Sequence, residues 1–493
     1  MKILFINPPD QYKCIENPDA KGNAFLESDD YGAFPPLGAL YVLSYLEKNT
    51  TGHDLFFKDC IGEKLDHNDV EELIKDIMPD VVGITSFTIS LVDCVMVAKT
   101  VKRIVPESHV CLGGHHPIAY PVEAAKLKEF DSIVVGEGEY AFTELINCLE
   151  QGVDYTHIQG VYNSGSIDQF VGKQGKDRRF LSRVNIPPAY VEDVDDLPIP
   201  NRQHIRNIKY HNILGVTGDL ATLISSRGCP YLCTFCDVPY KAYRQRSHDK
   251  VLDEVQECLD IGYTEFRFYD DLFNITPKKL IEFCEAIEAR GMKFTWDFRG
   301  RANTVDYESL RKARQTGLRM IAFGVETGTN EGLKKLKKGV KIEKIEAAFG
   351  WCRELGIITV ADYIIGMPWE RNEADINHSI DFLIKLDPDY TQISVLKLYP
   401  NTSIYDEAVN SKIIEGGRWQ EFAMNPTPNF LVDHWDEHMD IHTMVKIQRK
   451  SYQRFYYRPK YIWKSLLKTK SFYELGSKAN GALRLLRTNE RLA

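Results

Sequence analysis

The sequence predicts an α/β protein built from two consecutive parallel-sheet units and a helical C-terminal region. Three observations carry this. Short, β-rich apolar runs alternate with helical patterns over residues 1–150, the alternation resumes over 219–400, and it stops thereafter. With 493 residues the chain is too long for one ordinary core. Its 43% apolar and 27% charged residues are globular in balance, which excludes disordered, collagen-like and low-complexity classes.

In chain order, strands are predicted at Ile3–Ile6, Leu55–Phe57, Val81–Thr85, Val110–Leu112 and Ile133–Val135. Helices are predicted between them at Leu37–Glu47, Val70–Met78, Val92–Ile104, Val122–Lys128 and Ala141–Leu149. Five such βα units imply a doubly wound, Rossmann-like sheet whose ligand lies beyond the carboxyl ends of its strands. Residues 151–214 read as a proline-punctuated connector, with a turn-rich hairpin over Ser164–Arg179. In the second unit, residues 215–410, strands are predicted at Ala221–Ser226, Glu265–Tyr269, Lys293–Phe298, Met320–Val325, Thr359–Ile365 and Gln392–Leu398. Its helices are predicted at Lys250–Asp260, Pro277–Glu288, Tyr307–Arg314, Ile342–Leu355 and Glu373–Leu386. Six βα units in a row make an open sheet or a partial barrel, and in a barrel the chemistry gathers at the strand carboxyl ends. Residues 411–493 read as helical.

No run of eighteen apolar residues is present, so no spanning helix is expected. Pro8 and Pro9 interrupt the first apolar run before a signal-peptide core can form, which points to the cytoplasm. Eleven scattered cysteines fit reduced thiols. The net charge of −9 is unevenly spread. From Lys446 onward there are thirteen Lys and Arg against two acids, leaving −20 on the first 445 residues. The basic tail carries Tyr452, Phe455, Tyr456, Tyr461 and Trp463. Such a stripe packs as a helical cap on the acidic body, lies at a membrane surface or binds nucleic acid, the first being favoured and the last least.

Three cysteines are not scattered. Arg227-Gly-Cys229-Pro-Tyr-Leu-Cys233-Thr-Phe-Cys236 follows the first strand of the second unit, and its CxxxCxxC spacing lets three thiolates wrap a metal centre. Structural zinc and ferredoxin-type clusters take four ligands, and Cys258 lies too far along a helix to be the fourth. Three thiolates hold three irons of a [4Fe–4S] cluster and leave one iron open for a substrate or cofactor. Structural zinc and three merely packed thiols remain the alternatives.

This triplet, on the loop after the first strand of a six-fold βα array, resembles the radical S-adenosylmethionine (radical SAM) superfamily over about residues 219–400. The resemblance implies a partial (β/α)6 TIM-type barrel with Cys229, Cys233 and Cys236 as cluster ligands and SAM on the open iron. It implies SAM contacts from Asp271 in Tyr269-Asp270-Asp271 and from Arg299 in Phe298-Arg299-Gly-Arg301. Further contacts fall to Glu326 in Gly324-Val-Glu326-Thr-Gly328, to the Ile365-Gly366 backbone and to Phe235. By residue type alone, the paired carboxylates equally cap the next helix or bind a cation, and the arginine equally makes a surface ion pair.

A Rossmann-like domain before such a core resembles the cobalamin-dependent members of the superfamily. Thr85-Ser86-Phe87, Gly113-Gly114-His115-His116 and Gly136-Glu137-Gly138 end the third, fourth and fifth strands, where small residues let a bulky ligand approach the backbone. Ser86, Gly113, Gly114, His115, Gly136, Glu137 and Gly138 are the implied cobalamin contacts. Many cobalamin domains carry Asp-x-His-x-x-Gly after the second strand. Here Asp59-Cys-Ile61 puts an isoleucine at the histidine position, which implies cobalamin with no histidine on cobalt. His115 and His116 read as loop histidines. No GxGxxG follows Pro8, which disfavours NAD and FAD, while FMN or a ligand-free scaffold stays open.

The resemblance therefore implies an enzyme with three cofactors: a [4Fe–4S] cluster, SAM and cobalamin. The leading activity is methylation of an unactivated carbon through a 5′-deoxyadenosyl radical and methylcobalamin. The alternative is an oxidative transformation like that of the anaerobic magnesium-protoporphyrin monomethyl ester cyclase. A small-molecule substrate, lipid or tetrapyrrole among the candidates, and an electron donor of the flavodoxin or ferredoxin type would be its partners. Asp237 and Tyr240 are candidate substrate contacts.

Overall fold

The computed structural model describes residues 1–18, 34–172, 184–210, 214–215 and 219–468. Its first sheet contains β1 (Lys2–Asn7), β2 (Asp54–Asp59), β3 (Val81–Ser86), β4 (His109–Gly114), β5 (Ser132–Val134) and β6 (Val161–Tyr162), in the order β2-β1-β3-β4-β5-β6. The first five strands are parallel and β6 is antiparallel to β5. Strand order reverses beside β1, so β1 and β3 flank a switch point where a crevice opens past their carboxyl ends.

Helices α1 (Leu37–Asn49), α2 (His67–Ile77), α3 (Leu91–Ile104), α4 (Pro121–Lys126) and α5 (Gly138–Gln151) cover both faces. Their inward sides, such as Leu40, Leu43 and Leu46 on α1 and Val97, Ala98 and Val101 on α3, are fully buried. The helix expected over Val122–Lys128 forms as α4, preceded by a one-turn helix at His115–Ala119, and its Pro121 sits where the lost N–H is free anyway.

The connector is not a loose link. Val191, Val194, Leu197 and Ile205 are buried against the first sheet, and Gly136 accommodates it. With φ +113, a Cβ on Gly136 would lie 2.3 Å from the Ala189 carbonyl oxygen. Where a hairpin is predicted over Ser164–Arg179, residues Ser166–Phe170 instead form a 3-10 turn, its start tied by Asn163 side-chain acceptance from the Gly165 and Ser166 N–H groups. The rest of that stretch lies outside the described residues.

The second sheet comprises β7 (Leu220–Leu223), β10 (Glu265–Phe268), β11 (Thr295–Gly300), β12 (Leu318–Glu326), β13 (Ile358–Ile365) and β14 (Tyr390–Val395). A small antiparallel pair, β8 (Ser226–Arg227) with β9 (Arg244–Gln245), closes the base of the cysteine loop. All six main strands are parallel and sit in sequential order, β7 at one edge and β14 at the other, and these two edges do not pair. This is the singly wound, open (β/α)6 arc.

Helices α6 (His248–Asp260), α7 (Pro277–Ala289), α8 (Tyr307–Gln315), α9 (Asn330–Lys335), α10 (Ile342–Leu355) and α11 (Glu373–Leu386) form its outer layer. Ser247, Thr276, Asp306, Thr329 and Asn372 cap five of them with side-chain oxygens. An aromatic cluster of Phe268, Phe273, Phe283, Trp296 and Phe298 fills the space under the second and third strands.

The C-terminal region splits between the two units. α12 (Ser403–Asn410) and α13 (Arg418–Met424) pack on the first, through buried Ile404, Trp419 and Phe422. α14 (Ile441–Tyr456) covers the open edge of β14. Tyr452 Oη accepts from the Ile393 N–H at 2.8 Å, and Gln448 Nε2 donates to the Ile393 carbonyl at 2.7 Å. Tyr456 Oη accepts from the Thr391 N–H at 3.1 Å, and Tyr461 Oη, on α15 (Pro459–Lys468), donates to the Asp389 carbonyl at 2.7 Å. The tail tyrosines thus satisfy edge-strand groups that another chain could otherwise pair. Of the tail's aromatic residues within the described part, Trp463 remains 67% exposed, and residues 469–493 lie outside it. No helix among the described residues is long and apolar enough to cross a membrane.

Candidate active site

The loop from Gly228 to Tyr240 leaves the first barrel strand and is pinned at several points. The Cys229 N–H donates to the Tyr240 carbonyl at 2.9 Å, the Cys236 N–H to the Cys233 carbonyl at 3.2 Å, and the Thr234 N–H to the Leu336 carbonyl at 3.1 Å. Cys229, Cys233 and Cys236 are half-buried, whereas the other eight cysteines are buried. Burial pushes the Cys236 thiol up to about 12, so only a strong local positive charge would hold it as thiolate. Among the described residues the three sulfurs do not gather within 4.8 Å of one another.

Lys241 brings positive charge toward Cys236, and Arg301 brings it to Cys233. Arg301 stacks 3.6 Å from the Tyr231 ring centroid and its Nη1 lies 3.5 Å from Cys233 Sγ. Arg301 is buried, and its Nη2 has no hydrogen-bond partner, a cationic donor left unspent beside the cysteine loop. Arg299, one turn of the pleat away, instead faces Asp362 at 3.7 Å and the Tyr269 ring. Sequence reading placed the contact at Arg299. Arg299 lies within β11, while Arg301 lies just past its end, at the start of the 3-10 turn Ala302–Thr304.

Glu326 is held in a left-handed conformation, φ +65, where the β12–β13 register shifts. Its carboxylate accepts from Lys338 Nζ at 2.5 Å, and both partners are buried. Gly324 makes the room: a Cβ there would stand 2.3 Å from Glu326 Oε1 and 2.5 Å from Lys338 Nζ. Lys338 also lies over the Phe235 ring at 5.7 Å, joining the cysteine loop to this pair. The Ile365 carbonyl accepts from the Leu396 N–H at 2.8 Å. The Gly366 and Met367 N–H groups donate to Glu370, whose burial raises its carboxyl to about 7. The buried Asp270 carboxylate accepts from Ser225 and Ser226, and burial still lifts it to about 6.

Asp271 takes a different place. It lines a cavity of about 860 Å³ between the carboxyl ends of the first sheet and the mouth of the second. Its side chain is exposed to the cavity, yet the protein around it raises its carboxyl, with the His115 ring near enough to oppose that, and it accepts from the Gly228 N–H. Every residue implied for the first unit lines the same cavity: Ser86, Gly113, Gly114, His115, Gly136, Glu137 and Gly138.

Their roles differ from a uniform cradle. Gly113 has nothing closer than 4.0 Å to a Cβ position, so it leaves open space. Gly114, φ +90, instead accommodates the Ser86 backbone, 2.5 Å from a Cβ. Glu137 is spent on the interface. It accepts from Arg244 at 2.8 Å through both oxygens, lies 3.1 Å from Arg227 and accepts from the Val191 N–H at 2.7 Å. Burial acts to raise its carboxyl, but the two arginines outweigh this and hold it low. His115 stacks on the exposed Phe87, and Ile61 also lines the cavity. His116 points away, its Nδ1 3.1 Å from Thr88 Oγ1, and burial lowers it to about 3, so it stays neutral. Tyr240 lines the cavity beside Arg227. A buried group of Arg202, Arg246, Glu254 and Tyr41 fastens the two units behind it, with both Arg–Glu contacts at 2.5 Å.

Two family models match this chain: the B12 binding domain over residues 29–146 and the Radical SAM superfamily over residues 223–383. The chain belongs to the cobalamin-dependent radical SAM enzymes. Among its relatives is an uncharacterized methyltransferase of Pyrococcus horikoshii, 28% identical, with 96% of each chain covered. An anaerobic magnesium-protoporphyrin IX monomethyl ester cyclase of Rubrivivax gelatinosus is 26% identical over 83% of this chain and 70% of the relative. The fold matches that of the radical S-adenosylmethionine methyltransferase TsrM from Kitasatospora setae, solved with cobalamin and a [4Fe–4S] cluster. That match has a TM-score of 0.70 and 17% identity and covers 99% of both chains. The Rossmann-like unit followed by a partial barrel, read from the sequence, is the fold of this family.

Proposed function

We propose that this enzyme methylates an unactivated carbon of a small molecule held in the cavity between the two sheets. The carrying observation is that one cavity joins the strand ends of the B12-type unit to Asp271 and Gly228 beside the cysteine loop. Cys229, Cys233 and Cys236 would hold the cluster, and Ser86, Gly113 and His115 would face cobalamin. Bound together, the cluster and SAM supply a hydrogen-abstracting radical and cobalamin supplies the methyl group.

The chain's own residues bind and orient. Arg301, with its unpartnered Nη2, would take the SAM carboxylate, and Asp271 the SAM amino group. Phe235, packed against the loop, and the Ile365-Gly366 backbone would flank the adenine. The buried Lys338–Glu326 pair would keep the loop and β12 in register while Glu326 offers its free lone pairs to ribose. The Arg227–Glu137 and Arg244–Glu137 bridges hold the two units together and keep the cavity closed to water from that side. An electron donor of the flavodoxin or ferredoxin type completes the scheme. A lipid or tetrapyrrole substrate suits the largely apolar cavity walls, and the exposed Trp463 supports peripheral membrane contact.

Anaerobic reconstitution with iron, sulfide and cobalamin, followed by mass spectrometry of the SAM products, tests the proposal. Methyl transfer yields S-adenosylhomocysteine together with 5′-deoxyadenosine and a product heavier by one CH2. The similarity to the cyclase supports a second reading, an oxidative transformation. 5′-Deoxyadenosine without S-adenosylhomocysteine would establish that reading and end the first.

A further inference from the structure

The proposed reaction takes electrons one at a time from outside the chain, and the present inference rests on that reading. We infer that a small, acidic one-electron carrier protein docks on the face formed by Leu232 and the exposed lysines Lys334, Lys335, Lys337 and Lys341.

Leu232 directly precedes Cys233 and is 60% exposed, an apolar side chain left in water on the cysteine loop. The lysine-rich segment that follows α9 is bonded to that same loop. The Leu336 carbonyl accepts from the Thr234 N–H at 3.1 Å. The Gly339 carbonyl accepts from Asn303 Nδ2 at 3.4 Å, and a Cβ on Gly339 would lie 3.8 Å from Nη2 of Arg301, the residue that reaches Cys233 Sγ. Residue 336 is thus bonded to the cysteine loop and residue 339 to the segment that carries Arg301, and the lysines of this segment stand beside the loop.

The charges are available. Lys338 is turned inward to Glu326, but Lys334, Lys335, Lys337 and Lys341 are exposed. Lys335 is paired with Glu331 at 3.1 Å, while Lys334, Lys337 and Lys341 have no carboxylate within 4 Å among the described residues.

The sign of the partner follows from the rest of the molecule. The first 445 residues carry a net −20, so an acidic protein is repelled over most of that body and drawn to its few basic patches, of which this one adjoins the cysteine loop. A basic protein would find favourable ground over much of the surface and no reason to choose the cysteine loop. Opposite charges at the rim steer the encounter and set its orientation, with Leu232 as the apolar centre. In the docked pair one electron leaves the carrier and enters the cysteine-held centre. The carrier is oxidised by one electron, the centre is reduced by one, and no bond forms between the proteins.

The test uses the reconstituted full chain with a purified flavodoxin as probe. Calorimetric titration at low ionic strength should show at least about tenfold weaker binding for the Lys334→Glu, Lys335→Glu, Lys337→Glu triple variant, a gap that narrows as salt is added. Lys460→Glu is the control. It makes the same Lys→Glu exchange at a single position, a residue 82% exposed beside Asp387 at the opposite end of the barrel, and should bind within about twofold of wild type. SAM cleavage driven by flavodoxin should fall with binding, while cleavage driven by dithionite should match wild type. Equal binding by the triple variant, or an equal loss in Lys460→Glu, overturns the docking face. If the lysines govern flavodoxin binding but dithionite yields no SAM cleavage in wild type, the docking face stands and the catalytic reading falls.

Discussion

At the carboxyl ends of the first sheet the cavity meets backbone and small side chains, Ser86, Gly113 and Gly114 among them. The second sheet ends in charged or thiol side chains: the three cysteines, Arg301, Asp271 and the Lys338–Glu326 pair. The first is suited to seat a large, preformed ligand by shape. The second is suited to hold and polarise small charged groups. The topologies match these tasks: the doubly wound sheet opens a broad crevice at its switch point, and the singly wound arc points successive strand ends at one mouth.

The sharpest way to separate the two is Cys233→Ala. Cluster absorbance and all 5′-deoxyadenosine formation should vanish while cobalamin still binds. Loss of cobalamin as well would show that the two ends are one cooperative site. The converse substitution, Gly113→Leu, places a side chain in open cavity space and should weaken cobalamin binding at least tenfold by absorbance titration, with iron content unchanged (roughly the scale of a steric intrusion into a packed site).

Within the second sheet, Arg301→Gln should weaken SAM binding by about tenfold, the loss of a charge-assisted hydrogen bond. Arg299→Gln should change it by no more than about twofold, because Arg299 faces Asp362. Equal effects measured by equilibrium dialysis would return the contact to Arg299.

Buried acids behind the mouth set a pH dependence. Glu370 is raised in the fold to about 7 from an ordinary 4.5. The folded state thus holds a proton that the unfolded state releases, so stability is full below pH 4.5 and declines as pH rises through 7. The span amounts to about 3 kcal/mol. Glu370→Gln keeps an acceptor for the Gly366 and Met367 N–H groups and should flatten this decline in denaturant titrations at pH 5 and pH 8. An unchanged slope would assign it elsewhere. Smallest of all, Tyr452→Phe leaves the Ile393 N–H without its partner and should cost about 1 kcal/mol in the same assay without altering cluster content.

Much of this architecture was legible before any coordinates. The helix limits at Ile342–Leu355 and Glu373–Leu386 coincide with the structure, because a strong apolar period bounded by a cap or a C-terminal glycine is local information. Elsewhere one residue type served two purposes that local pattern cannot tell apart. Gly136 and Gly114 read as ligand-facing glycines, yet both line the cavity while making room for protein backbone, Ala189 and Ser86 respectively. Glu137 reads as a cofactor contact, yet two barrel arginines claim its carboxylate. The tail tyrosines suggested a surface stripe, but Tyr452, Tyr456 and Tyr461 cap an edge strand some sixty to seventy residues earlier.

The order of βα units, the small-residue and charged strand ends and the three-cysteine loop were determined by the sequence itself, since periodicity and close spacing act between neighbours along the chain. Which arginine meets the cysteines, which glycines stay open and what covers β14 were decided only in the tertiary structure. Each depends on a partner far off in sequence, Asp362, Ala189 or Tyr452, whose position is set when strands pair and helices pack.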